Sequence, residues 1–411
     1  MNAPTRPSGS PLVQLRHGHQ ELVLGLLRAH GPLSRGELGK RCGLSRTTLY
    51  DILAGLLADG VVVAREAGPG TGADTAPRGR GRPAETLALN PAAGQAIGID
   101  FARRAVHVAA VNVAHEIVGS AGEPHPADLP WPERVAIAAH LIGTLTGGPL
   151  RLSTLTAMGV GVVGPVVGPP DETAGAPPLE TLLRERFGMP VLVDNNTRLA
   201  ALAESIWGAA AGHQDVLYLR LSHGVGGGLV TGGSLHRGAY GLSGEFGHIP
   251  VHPTEGARCE CGGVGCLETV ASVNAVLAAY RAAGGQADDL ADLAAAAQAG
   301  DTLALGVLRE VGAMIGTVLA ALSNAIGPQV IVVGGELTRL GAPLIEPIEE
   351  ALAAHVMRIS RHRVGLRRAT LGDAGGALGG IALVLHESPL LSRYPAEPDP
   401  EERPMNHSRR P

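Results

Sequence analysis

The chain has 411 residues, a hydrophobic content of 45% and a net charge of −5, with aromatics at only 2%. That length exceeds the roughly 100–200 residues of one ordinary domain, so two or three domains are expected, with cores built from Ala, Val, Leu and Ile. No apolar run reaches the roughly 18–20 residues of a membrane span, and the N-terminus lacks a signal pattern, so a cytoplasmic protein is expected.

Residues 1–90 hold 11 Arg+Lys against 7 Asp+Glu, and the rest of the chain is acidic. Only the N-terminal part therefore has the sign to meet a polyanion, although an excess of this size also arises by chance. "HQELVLGLLRAH" from His19 places Leu22, Val23, Leu26 and Leu27 on one helical face. After the "GP" break, Ser34 and Glu37 form a capping box for a short helix with Leu38 and Cys42 inward, ended by Gly43. Ser45 caps a third helix with an apolar stripe of Leu49, Ile52, Leu53, Leu56 and Leu57, closed by Gly60. Strands follow at "VVVAREA" and "ETLALNP".

This order of elements predicts a winged helix-turn-helix over residues 15–90. The start of its third helix offers Ser45, Arg46, Thr47, Thr48 and Tyr50 to phosphates and base edges of double-stranded operator DNA. The alternative is a plain three-helix bundle that uses the same residues as caps. Between the wing strands, Arg78, Arg80 and Arg82 alternate with Gly and Pro in an arm suited to a minor groove, or in a solvated loop.

From Ala96 the pattern becomes strand-rich. "AIGIDFARRAVHVAAVNVAHEIVGS" reads as successive strands, with further strands at "MGVGVVGPVVG" and "PVLVDNN". The opening recurs at "VLYLRLSHGVGGGLVTGGSLHRG" from Val216, followed by helices from Val270 to Ile326 and a buried strand at "QVIVVGGEL". Two hairpin-led α/β halves predict a duplicated fold over 95–200 and 201–386, with a ligand cleft between them. The last helix belongs to the second lobe or returns to the first, and the Pro-rich tail from 387 to 411 is expected to be disordered.

Three of the four cysteines, Cys259, Cys261 and Cys266, fall within "CECGGVGCLE", downstream of His248 in "GEFGHIPV". Three thiolates and one imidazole make a closed tetrahedral set for structural zinc, with a metal-free loop as the alternative. Such a clip would pin Glu245 and Glu268 near His248, and two carboxylates beside a histidine suit the hydroxyls of a polyol.

"GEFGH" followed by "CECGGVGCLE" resembles the signature of the ROK family (repressor, open reading frame, kinase), and the likeness runs from about residue 18 to 386. The resemblance implies a two-lobed, actin-like, hexokinase-type α/β fold. It implies structural zinc on His248, Cys259, Cys261 and Cys266, and a sugar pocket using Glu245, His248 and Glu268. It also implies a homodimer or tetramer, and a sugar-responsive transcription factor where a winged helix is present.

Five positions depart from the family's kinase pattern. Ala102 and Arg104 replace Gly and Thr of the first phosphate turn after Asp100, and His223 replaces a phosphate-binding Thr. In "VDNNTR", Asn195 is retained but Asn196 stands where the catalytic Asp should be, and Arg198 replaces a second Asn. An amide cannot act as a general base, yet it can still bond a sugar hydroxyl. The expectation is therefore a regulator, most simply a repressor, that binds a sugar or sugar derivative through Asn195, Asn196, Glu245, His248 and Glu268 and has no catalytic residue. An active sugar kinase with an appended DNA-binding domain is one alternative, and a pocket answering to a protein or non-sugar metabolite is another.

Overall fold

The computed structural model describes residues 11–66, 85–90, 95–112, 114–146, 158–164, 166, 179–252, 256–360 and 364–386. Their contacts form two units, one built on residues 1–94 with 112–115 and 385–411, the other on 95–111 and 116–384. The arm with Arg78, Arg80 and Arg82 and the tail from residue 387 lie outside the described residues.

The N-terminal unit runs α1 (Pro11–His30), β1 (Leu33–Ser34), α2 (Arg35–Cys42), α3 (Arg46–Ala58), β2 (Val62–Glu66) and β3 (Glu85–Leu89). Helix α1 starts upstream of the expected His19, with Pro11 in the first turn, where its missing N–H is no loss. The strands form an antiparallel sheet in the order β1-β3-β2. The two-residue β1 was too short to show as a pattern. Val23, Leu27, Leu38, Leu49, Leu53 and Leu87 close the core. The capping box forms: Glu37 N donates to Ser34 Oγ at 3.2 Å, and Ser34 N donates to Glu37 Oε2 at 2.7 Å. Gly43, at φ 65°, ends α2 in the left-handed conformation that glycine adopts without penalty.

The larger unit begins with β4 (Gln95–Phe101), β5 (Ala105–Asn112), β6 (Ile117–Pro124), α4 (Trp131–Thr146), β7 (Met158–Val162), α5 (Leu179–Phe187), β8 (Val191–Asn195) and α6 (Asn196–Ile206). It continues through β9 (Val216–Leu221), β10 (Val225–Thr231), β11 (Ser234–His236), α7 (Glu268–Ala271), α8 (Val273–Ala282), α9 (Leu290–Gln298) and α10 (Thr302–Ile326). It ends with β12 (Val330–Gly334), α11 (Ala342–His355), β13 (Gly365–Arg368) and α12 (Gly375–His386).

The two five-stranded sheets have matching orders, β6-β5-β4-β7-β8 and β11-β10-β9-β12-β13. In each, antiparallel pairing on the hairpin side gives way to parallel pairing among the last three strands. The halves are thus topological copies. Helix α12 packs back on the first sheet, so closely that a Cβ on Gly159 would lie 1.8 Å from the Gly380 carbonyl oxygen.

Helix α10 is long and apolar enough to cross a membrane by length and composition, and half of that window is buried inside the fold. Its apolar residues serve the core: Leu308, Val311, Ile315 and Leu319 are buried there with Leu344, Ile348 and Leu352 of α11.

Helix α6 is anchored at its far end. Glu204, 1% exposed, accepts backbone N–H bonds from Ala209 at 2.6 Å and from Thr370 and Leu371 at 2.9 Å each.

Candidate functional site

Downstream of β11 the chain makes a 3-10 turn, Phe246–His248, and then a loop that doubles back through bridges Pro250↔Cys266 and Arg258↔Val264. The loop brings His248, Cys259, Cys261 and Cys266 together, with all four ligand atoms within 4.8 Å of one another. Cys261 and Cys266 sulfurs are 3.7 Å apart, and His248 Nδ1 is 3.5 Å from Cys259 Sγ. A tetrahedral ion with Zn–S bonds of about 2.3 Å would separate neighbouring sulfurs by about 3.8 Å, so the spacing fits a metal. Gly265, at φ 66°, carries the tight return, and a Cβ there would strike the His252 carbonyl oxygen.

His248 works in two directions. Its Nδ1 faces the thiols, and its Nε2 lies 3.8 Å from Glu245 Oε2. Glu268 opens α7 directly after the cysteine loop, and its Oε2 accepts from Val225 N at 2.8 Å. That bond fixes Glu268 to the glycine turn between β9 and β10. Glu245, His248 and Glu268 are all partly exposed.

The two asparagines are engaged elsewhere. Asn195 Oδ1 caps α6 by accepting from Thr197 N at 2.9 Å and Arg198 N at 3.1 Å, while Nδ2 donates to Gly164 O at 2.9 Å. Asn196 is buried and its Nδ2 donates to Asp100 Oδ1 at 3.0 Å.

Sequence reasoning missed the next side chain. Arg198 is the largest fully buried side chain among the described residues. It pairs with Asp194 at 2.7 Å, and Arg237 binds the other oxygen of the same carboxylate. The only signal in the sequence was an arginine where an asparagine is expected.

In the N-terminal unit, Ser45 Oγ caps α3 by accepting from Thr48 N at 3.1 Å and lies 2.8 Å from Thr48 Oγ1. Those two hydroxyls are therefore spent on the helix start. Arg46, Thr47 and Tyr50 are exposed. Arg35 and Arg46 lie over the Tyr50 ring at 5.4 and 5.8 Å, forming a cationic, aromatic surface to which Arg35 is an unforeseen contributor.

The ROK family model matches residues 96–387. The chain belongs to the ROK family. The DNA-binding transcriptional repressor Mlc of Escherichia coli is 27% identical over 406 residues, covering 92% of this chain and 96% of the repressor. A glucokinase of Halalkalibacterium halodurans is 36% identical over 230 residues, covering 53% of this chain and 70% of the kinase. The crystal structure of a ROK family transcriptional regulator, a homologue of the E. coli Mlc protein, superposes with a TM-score of 0.74 at 25% identity, over 92% of this chain and 99% of that one.

Asp100 is buried at the end of β4, and a Cβ on Gly376 would lie 2.2 Å from its carboxylate. Burial raises its pKa above the ordinary 3.8, against the opposing pull of Arg220 and the Asn196 hydrogen bond. Arg220 has three carboxylates close enough to act on it, those of Asp100, Glu336 and Asp373. Arg103, Arg104 and His223 are exposed, and Ala102 is partly buried.

Proposed function

We propose that this ROK protein is a DNA-binding transcriptional regulator, most simply a repressor of carbohydrate-metabolism genes, whose operator affinity is set by a sugar or sugar derivative. The observation that carries the reading is the reach of the likeness to the repressor Mlc, which spans 92% of the chain, where the glucokinase likeness spans 53%. Residues 15–90 would be the winged helix-turn-helix, with Arg46, Thr47 and Tyr50 toward operator DNA and Ser45 and Thr48 shaping the helix start. Residues 95–200 and 201–386 would be the two lobes, in a cytoplasmic homodimer or tetramer.

Zinc on His248, Cys259, Cys261 and Cys266 would be structural, because four protein ligands leave no position for water. It would fix His248 so that Nε2 and the Glu245 and Glu268 carboxylates meet sugar hydroxyls. Asn195 and Asn196 would shape the adjoining wall. Asn196 offers no carboxylate to take a proton, so binding persists without phosphoryl transfer. Sugar would favour one arrangement of the lobes and thereby change the spacing of two winged helices on a two-fold site.

A gel shift on the DNA upstream of its own gene, repeated with sugars and sugar phosphates, tests this. Release of bound DNA by one sugar is the expected result, and no binding at moderate salt would sink the reading. The glucokinase likeness at 36% identity supports a second reading, a sugar kinase. ATP-dependent sugar phosphorylation lost on E245A would favour it.

A further inference from the structure

Asp194, with a side chain 2% exposed, stands at the end of β8 between two arginines. Arg198, one turn along α6, donates to one carboxylate oxygen through Nη2 at 2.7 Å and Nε at 2.8 Å. Arg237 Nε donates to the other oxygen. Arg198 Nη1 then reaches the carbonyl oxygens of Gly241 and, at 3.4 Å, Ser243. A buried guanidinium persists only when its donors are matched, and here two carbonyls of a distant loop take up Nη1.

That loop joins β11 to the Phe246–His248 turn. Its side chains do little to hold it: Gly238, Ala239, Tyr240 and Leu242 are exposed, Tyr240 by 79%. One backbone bond, Ser243 N to Arg237 O at 3.1 Å, closes it. Gly241 also lies against Val166, where an added Cβ would meet the carbonyl oxygen at 2.7 Å, and the Arg198 contacts hold the loop from inside. Glu245 lies two residues beyond Ser243, so whatever fixes Ser243 also limits where Glu245 can point.

We propose that Arg198, oriented by Asp194, is a positioning residue for the effector pocket, pinning the loop from Arg237 to Ser243 as a fixed rim beside Glu245. The proposal rests on the reading of Glu245 as an effector ligand. It also gives the arginine at this position a purpose. An asparagine in its place is too short to span from α6 to the loop carbonyls, whereas arginine joins the last strand of the first sheet to the loop leaving the second.

The test is hydrogen exchange on the full chain without effector, comparing wild type with R198M, R198K and D194N, followed by thermal titration of each with D-glucose, D-xylose and N-acetyl-D-glucosamine. In R198M the amides of residues 238–245 should exchange about tenfold faster while those of α10 stay unchanged. Any sugar that binds wild type should bind R198M about tenfold more weakly, with part of the loss recovered in R198K. Should R198M fail to fold, D194N carries the same expectation, because it keeps the shape and removes the charge. Unchanged loop exchange would overturn the proposal, as would faster exchange with undiminished sugar affinity. Faster exchange with no sugar bound even by wild type would instead overturn the effector reading and leave the pinned loop established.

Discussion

Asn196 donates a hydrogen bond to Asp100 across 3.0 Å, and both side chains are buried. On the resemblance to ROK kinases, the amide is expected at the position of the catalytic aspartate, and its partner Asp100 at the first phosphate turn. Restoring the carboxylate with N196D would set two acids in contact, and two carboxylates that close cannot both ionise. N196D should therefore cost about 3 kcal/mol of stability and gain no kinase activity. Calorimetry and a coupled ATP assay check both parts, and an active, stable N196D would contradict them.

Asp100 also predicts a pH dependence. Burial raises its pKa above the ordinary 3.8, so the folded state keeps this proton to higher pH than the unfolded state does. Its contribution to stability is then greatest below 3.8 and declines as pH rises through the raised value. D100N removes that decline, and its amide oxygen can still accept from Asn196. The melting temperature of D100N relative to wild type should climb with pH and then level off. A flat difference from pH 4 to 8 would mean that the carboxylate is not penalised.

The cysteine cluster predicts a metal-dependent transition in the larger unit alone. Cys261 is exposed, so C261S removes a ligand with little loss of packing. Wild type should carry one zinc per chain by elemental analysis, and C261S much less. Strong chelation should lower melting of the larger unit by several degrees, since binding energy of a structural zinc adds to folding energy. Melting of the N-terminal unit should not move.

Arg46 and Tyr50 offer a test that leaves the fold intact. R46A truncates an exposed side chain at the start of α3. If it meets a phosphate, operator affinity should fall about uniformly across sequences, and the slope of affinity against salt should drop by about one ion. If it meets a base edge, the loss should be about 1–3 kcal/mol and confined to one operator position. Fluorescence anisotropy at several salt concentrations separates these outcomes, and unchanged affinity would move the DNA surface elsewhere.

Local features were readable from the sequence because their partners are close in the chain. Ser34 and Glu37 are three residues apart, and His248 precedes Cys259 by only 11. The duplicated hairpin openings were visible as repeated strand-and-glycine patterns. What was not visible depends on distance along the chain: Arg198 needs carbonyls 43 and 45 residues away, and Arg35 reaches an aromatic ring on the next helix.

Helix α6 is held at both ends by charged side chains that bind backbone. Arg198 grips the carbonyls of the loop that follows β11, and Glu204 grips the amides of Thr370 and Leu371. Six residues separate the two grips, roughly 9 Å of a rod too short to bend. Rotation imposed at one end is then expected to be felt at the other, which would couple the loop after β11 to the segment leading into α12. Substitutions at Asp194 and Thr370 should accordingly be non-additive, a crankshaft effect written into eleven residues of helix.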